Sequence, residues 1–433
     1  MSGSGHTTDT ETEMRRSGRR NYIAHSVDGG LFVGAMAFTS TTTVLPTMVK
    51  NLGGPDWLIT LAPVLMSIGF FTPPIFTAHL IERLPRYMPL LLATGISQRI
   101  FYLAAGLVLV LGAGAGPAVA LAAVVIAPLV TGIAGGSGMT AWQQLVVRTV
   151  PENRRSSLFA MRYAISCVIG VAAGFVVKSV LDAWPGTVGY GILHLAAFGT
   201  LTVSYVVFAM IREPTVPVPA DRAVRGLREN LRAIPGLIRS ERHIGLYLAA
   251  IAMVNGIFIL IPFLAIRAQQ MLARPESYTG DLLVAQMAGA ILGNLVSGYL
   301  GDRYGGRLVL IVSQAAFIAL SAWAIAAGTD WEFRAIFFLF GLAFFALQVG
   351  SNTLSLEICP LQDRSTYLAI ILFFNLPTMA AATAASALLW NEGRGFWMLA
   401  VLTIVCAGSS LALAARLREP RAAKKAAAAR HDL

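Results

Sequence analysis

The sequence predicts an all-α membrane protein of twelve transmembrane helices arranged as two pseudo-symmetric six-helix bundles. Three observations predict it. Of 433 residues, 56% are hydrophobic and only 13% charged, where a soluble domain carries about 25% charged residues. The apolar residues fall in runs long enough to cross a bilayer as helices, which takes about 20 residues. The chain also repeats itself from one half to the other.

The apolar segments span 25–49, 57–79, 88–111, 118–146, 157–181, 189–211, 244–268, 281–301, 307–328, 334–357, 366–390 and 396–415. Runs such as LFVGAMAFTSTTTVLPTMV (31–49) and AVALAAVVIAPLVTGIAGGSGMTAW (118–142) lack the period-two alternation of strands. Polar residues gather in the turns: ERLPR after the second segment, PENRRS after the fourth, DRYGGR after the eighth and PLQDRS after the tenth.

Charge orients the array. With the N-terminus inside, the inner tails and turns hold 26 of the 33 Lys and Arg, the outer turns hold 6, and Arg99 lies mid-segment. That bias is the positive-inside pattern, and it predicts a multi-pass protein of the cytoplasmic (inner) membrane with both termini cytoplasmic. It also accounts for the net charge of +11 without nucleic acid as a partner. Residues 1–24 are read as a solvated N-terminal tail, 25–211 as the first bundle and 212–243 as a basic cytoplasmic linker with seven arginines. The second bundle is then 244–415 and the C-terminal tail 416–433.

Cys167, Cys359 and Cys406 show no paired spacing, so neither a metal site nor a disulfide framework is expected. No HExxH, DxD or GxSxG occurs, and no cofactor or nucleotide-binding domain is expected; the reading is a non-enzyme. DRYGGR is not a phosphate loop, because it lacks G-x-x-x-x-G-K-[ST] and follows an apolar segment instead of a strand.

The repeat is gapless. Residues 132–160 lie over 341–369 at a constant offset, matching Gly132 with Gly341, Pro151 with Pro360, Arg155 with Arg364 and Ser156 with Ser365. Glu82-Arg83 pairs in position with Asp302-Arg303, and Thr39 and Pro46 with Asn255 and Pro262. Duplicated six-helix units are a signature of secondary transporters.

Gly298-x-x-x-Asp302-Arg303-x-Gly305-Gly306-Arg307 resembles the loop motif G-x-x-x-D-R-x-G-R-[RK] of the major facilitator superfamily, with one extra residue before the final Arg. The likeness implies transport of a small-molecule substrate by alternating access. It also implies a midplane site between the halves, built mainly on helices one, four, seven and ten.

Physical arguments stand beside the resemblance. Ala285, Gly289, Gly293, Ser297 and Gly301 place a small residue at every fourth position of helix eight, a stripe that lets another helix approach in lipid. The charged inner turns are read as a gate that clasps neighbouring helix ends: Glu82, Arg83, Arg155, Asp302, Arg303, Arg307 and Arg364. The first copy departs from the motif, with Glu82 in place of Asp and Pro85 in place of glycine.

Polar groups at midplane depth are expensive unless paired and so mark a cavity. Thr39, Thr42, Asn255, Gln348 and Asn375 are the candidates, with Pro46, Pro262 and Pro377 freeing carbonyls nearby. Arg99 reads either as an anchor for an anionic substrate or as a structural pair. Asp28 is the proton-coupling candidate, with His25 and His194 as poorer choices. Three readings follow: a transporter of a small organic solute in the lipid bilayer, acting as a monomer; a receptor or adaptor of the same fold; or a proton-coupled exporter of amphipathic compounds. Helix five lacks the GP-x-x-GG of drug/proton antiporters, which disfavours the last.

Overall fold

A computed structural model of the chain describes residues 4–81, 84–112, 116–214, 242–358, 364–390 and 394–417. All regular structure among these residues is helical. Ten stretches are long and apolar enough to cross a membrane. The expected second segment is covered by the helices Asp56–Phe71 and Pro73–Ile81, and the eleventh by the helix Arg364–Trp390.

The first crossing is broken. Helix α1 (Ser4–Ala35) leads into a 3-10 turn (Met36–Thr39) and then α2 (Val44–Asn51). The break falls on Thr39-Ser40-Thr41-Thr42-Thr43, whose hydroxyls compete with the helical backbone and whose β-branched members are stiff at χ1. Pro46 adds a missing N–H to the next turn. The second crossing divides at Thr72 into α3 (Asp56–Phe71) and α4 (Pro73–Ile81). Thr72 directs both its N–H and its hydroxyl to the Ile68 carbonyl just before Pro73-Pro74.

Helices α5 (Met88–Leu111), α6 (Pro117–Thr149), α7 (Glu152–Ala183) and α8 (Thr187–Ala209) complete the first six crossings. The seventh is again broken, into α9 (Arg242–Val254) and α10 (Ile257–Leu272), at Asn255-Gly256. Then follow α11 (Tyr278–Tyr304), α12 (Gly306–Ala326), α13 (Asp330–Ile358), α14 (Arg364–Trp390) and α15 (Phe396–Arg416). Crossings one and seven occupy the same place in their halves, and both are discontinuous.

The first helix begins at Ser4, so residues 4–24 of the segment read as a solvated tail are helical and continuous with α1. The linker beyond residue 214 and the tail beyond 417 lie outside the described residues.

Contacts divide the chain into two units: Met1–Thr41 with Leu65–Leu227, and Thr42–Val64 with Arg228–Leu433. Residues 42–64, which the sequence reading puts with the first bundle, group with the second, where α2 packs on α10 and α11. Within the first unit, α5 packs on α6 and α8, and α1 on α7 and α8. Within the second, α12 packs on α13 and α15, and α11 lies along α13.

The repeated glycines have a packing cause. A Cβ on Gly341 would stand 1.8 Å from the Gln286 carbonyl oxygen across the α11–α13 contact. Its counterpart Gly132 would place one 2.4 Å from the Met66 carbonyl oxygen across α3 and α6. Only glycine lets these backbones meet. The stripe on α11 faces the same contact, since a Cβ on Gly289 would meet the Phe338 carbonyl oxygen at 1.8 Å. At the end of α11, Gly305 carries φ +89°, which the tight turn into α12 requires and which L side chains rarely adopt.

Candidate functional site

The first unit holds a buried network of charged and polar groups. Gly29, beside Asp28 on α1, faces Arg162 of α7; a Cβ there would stand 1.9 Å from the guanidinium carbon. That gap admits the guanidinium. Arg162 Nη1 lies 3.8 Å from Asp28 Oδ2 and donates to the His25 carbonyl at 2.9 Å. Its guanidinium also lies over the Trp142 ring, 4.8 Å from the centroid. The other Asp28 oxygen accepts from the Ser204 hydroxyl at 2.7 Å.

Ser204 carries the network to Arg99. Arg99 is 7% exposed. It donates from Nε to the Leu201 carbonyl (2.7 Å), from Nη1 to the Gly95 carbonyl (2.7 Å) and from Nη2 to Ser204 Oγ (3.4 Å). The guanidinium stacks on Tyr205 at 4.7 Å. All three of its nitrogens are engaged, so Arg99 is a tie between α5 and α8. Asp28 reaches it through Ser204. His25 belongs to the same cluster: the Thr149 hydroxyl donates to the Leu145 carbonyl at 2.6 Å, so His25 Nε2 is the donor in its 2.9 Å bond to Thr149 Oγ1. His194 is fully buried, bonded to the Tyr190 carbonyl and set against the Tyr102 ring. Thr39, at the break of the first crossing, is buried, and Tyr102 donates its hydroxyl to Met36 Sδ at 3.5 Å.

The second unit offers two polar clusters. At the break of the seventh crossing, Asn255 Nδ2 donates to Asn375 Oδ1 at 2.9 Å and to Thr378 Oγ1 at 2.7 Å. Asn375 in turn donates to the Ile371 carbonyl at 3.0 Å. The sequence-predicted pair Asn255 and Asn375 is thus brought together, with Thr378 added. Near the start of α2, the Thr43 hydroxyl donates to Gln286 Oε1, and Gln286 Nε2 donates to Thr42 Oγ1 at 3.3 Å. Gln348 stands apart, exposed on α13.

The inner turns are described in part. Arg307 donates from Nε to the Ala414 carbonyl (3.1 Å) and from Nη2 to the Ala415 carbonyl (2.8 Å), clasping the end of α15. Arg303 turns back to the Tyr299 hydroxyl of its own helix at 2.8 Å. Glu82 and Arg83 lie outside the described residues, as do the side chains of Arg155, Asp302 and Arg364.

Sequence reasoning missed Arg162, Gln286 and the pair Arg148–Glu213. Glu213 oxygens accept from the Tyr87 N–H (2.8 and 2.9 Å) and the Met88 N–H (2.8 Å), capping the start of α5. Arg148 Nη1 holds Glu213 at 3.2 Å and the Pro85 carbonyl at 3.1 Å, and Nη2 holds the Tyr87 hydroxyl at 2.9 Å. Gln286 was findable as a lone amide within an apolar segment. Arg162 looked like one more inner-turn cation, although it stands well inside the fifth segment.

The Major Facilitator Superfamily model matches residues 246–432. The whole chain is similar in structure to an aspartate-to-alanine mutant of the nucleoside transporter NupG, at TM-score 0.67 and 13% identity, over 91% of this chain and 98% of that one. It is similar to a bacterial homologue of the human lysosomal transporter Spinster, solved inward-facing and unoccupied, at TM-score 0.60 and 14% identity, over 92% and 96%. It is similar as well to a bacterial homologue of the iron transporter ferroportin, outward-facing, at TM-score 0.56 and 14% identity, over 90% and 99%. The likeness recognised from the loop motif is borne out. The chain shares the fold of these transporters.

Proposed function

We propose that this chain is a major facilitator superfamily transporter that moves a small organic solute across the cytoplasmic membrane by alternating access. The observation that carries the reading is the pair of broken crossings, one and seven, each with a buried polar side chain at the break: Thr39 and Asn255. Discontinuous helices turn unpaired backbone groups and polar side chains toward a substrate at membrane depth. In the second unit the Asn255–Asn375–Thr378 cluster offers amide and hydroxyl groups in both donor and acceptor roles, which suits a neutral or mildly amphipathic solute bearing hydroxyl or amide groups. Thr42 with Gln286 is a second polar station in that unit.

Proton coupling is the finer reading that Asp28 favours, because it is a carboxylate buried against Arg162 and Ser204 within a crossing. Both termini are placed in the cytoplasm by the charge bias, and the transporting unit is taken as a monomer.

The test is a thermal-stability screen of the purified protein over a metabolite library, followed by uptake into proteoliposomes. A bound ligand raises apparent stability by mass action. A hit that survives Arg416→Ala but is lost in Asn255→Ala supports the cluster as a substrate station. Binding untouched by Asn255→Ala, Asn375→Ala and Thr42→Ala removes it. Specific binding without uptake in proteoliposomes would favour the receptor reading. Solute-driven proton movement that disappears in Asp28→Asn supports coupling, and uptake without proton movement removes it.

A further inference from the structure

Arg19 and Arg20 are exposed on α1, and with Ile23 and Ala24 they line an open groove of about 460 Å³ against Val207 of α8 and Met210 just past its end. The two helix surfaces are held in register by a two-way clamp. Asn21 Nδ2 donates to the Arg212 carbonyl at 3.0 Å, and the Arg212 N–H donates to Asn21 Oδ1 at 3.0 Å. Two guanidinium groups of α1 therefore stand at the mouth of a groove whose floor is apolar. Ile23 and Met210 are each 50% exposed, so the floor is open along its length.

That combination is unlike an ordinary basic turn. Guanidinium is planar and offers paired N–H donors that match the oxygens of a phosphodiester. An apolar channel directly below suits an acyl chain. Basic rims between helices at the cytoplasmic face recognise anionic headgroups in this way. We propose that the α1–α8 groove is a binding site for an anionic phospholipid. The phosphate is held by Arg19 and Arg20, and one chain lies over Ile23, Ala24, Val207 and Met210. The site is separate from the polar clusters discussed above, so it does not depend on which solute is moved.

The test uses the full-length protein in detergent, titrated with dioleoylphosphatidylglycerol, with dioleoylphosphatidylcholine, and with inorganic phosphate alone. Bound lipid is read by native mass spectrometry and stability by thermal unfolding. Phosphatidylglycerol should be retained and should raise the melting temperature, while phosphatidylcholine and phosphate should do neither. The Arg19→Ala/Arg20→Ala double variant should bind phosphatidylglycerol roughly 30-fold more weakly, on the scale of two arginines near an anionic surface. Met210→Trp, which fills the groove and keeps the charges, should weaken it as well. Arg416→Ala, an exposed inner-end arginine on α15, should not. Equal retention of both lipids, an unchanged double variant, or an equal loss in Arg416→Ala would overturn the site.

Discussion

Asp28 on α1 and Arg162 on α7 face each other at 3.8 Å, and the same carboxylate reaches Arg99 through the Ser204 hydroxyl. One buried anion thus serves two guanidinium groups. Their side chains are only 10% and 12% exposed for Asp28 and Arg162, so solvent does little to replace a lost partner. Breaking a buried pair by removing one member costs about 3–5 kcal/mol. Asp28→Asn should fall at the upper end, since it strands two cations, and Arg162→Gln should cost less. Thermal or denaturant unfolding of the purified variants checks the order. A smaller loss for Asp28→Asn than for Arg162→Gln would show that the carboxylate is not the shared counter-ion.

Gly29 provides a second route to the same pair. Because an added Cβ would overlap the Arg162 guanidinium at 1.9 Å, Gly29→Ala must displace it. The single variant should be destabilised much as Arg162→Gln is. Gly29→Ala in a background of Arg162→Ala should add little, because the obstructed group is gone. Neighbouring sites that share one partner couple by about 0.5–3 kcal/mol, which a double-mutant cycle resolves. Simple additivity would mean that α1 and α7 clash elsewhere.

The asymmetry between what was legible in the sequence and what was not follows from range. The bilayer imposes its length on each span, so the apolar runs could be read directly. Asn255 and Asn375 were visible because lone amides in apolar segments are costly. Pro46 and Pro262 hinted at the breaks, but neither marks the residue where the helix opens. Arg162 was hidden because its chain neighbours give it the look of an inner-turn charge; its meaning lies in Gly29, more than 130 positions earlier in the chain. Glu213 and Arg148 meet across 65 positions, with nothing local to either that points to the other. Gln348 carried the same local signal as the two asparagines and is exposed on α13.

Asn255 separates stability from recognition. Side-chain hydrogen bonds between membrane helices average about 0.6 kcal/mol and reach about 1.7. Asn255→Ala should therefore lower stability only by about 1 kcal/mol, even though it removes bonds to both Asn375 and Thr378. Solute binding should fall by roughly tenfold or more if the cluster holds the solute through one or two hydrogen bonds, each worth about 1.5 kcal/mol at most. Isothermal titration with a hit from the screen, beside unfolding of the same sample, checks the split. A fall in binding explained wholly by lost stability would make Asn255 a packing residue.

Glu213 is both a cap and an ion-pair partner. Its carboxylate takes the first N–H groups of α5 and the Arg148 guanidinium, and its side chain is 3% exposed. Hydrogen bonds to a charged group contribute about 1.5–3 kcal/mol. Glu213→Ala should cost about that much and should speed amide exchange at Tyr87 and Met88, leaving α15 unchanged. Unaltered exchange at those two amides would deny the cap.

Arg307 is the described member of the loop motif that reaches another helix. It binds two carbonyls in the last turn of α15, where a helix end runs short of N–H partners. A cation there also complements the negative end of the helix dipole, by about 0.3–1 kcal/mol when exposed. Two effects are thus combined, and substitution separates them. Arg307→Lys keeps the charge but loses the fork, so it should retain the dipole contribution and only one carbonyl contact. Arg307→Ala should lose both and fray the last turn, with faster exchange at the amides that follow Ala414, Leu417 included, since its N–H bonds the Ala414 carbonyl. If this clasp also breaks during each transport cycle, Arg307→Ala should change the rate of uptake more than the affinity for solute. A pure fall in affinity, with the maximal rate preserved, would leave Arg307 as a helix cap with no part in gating.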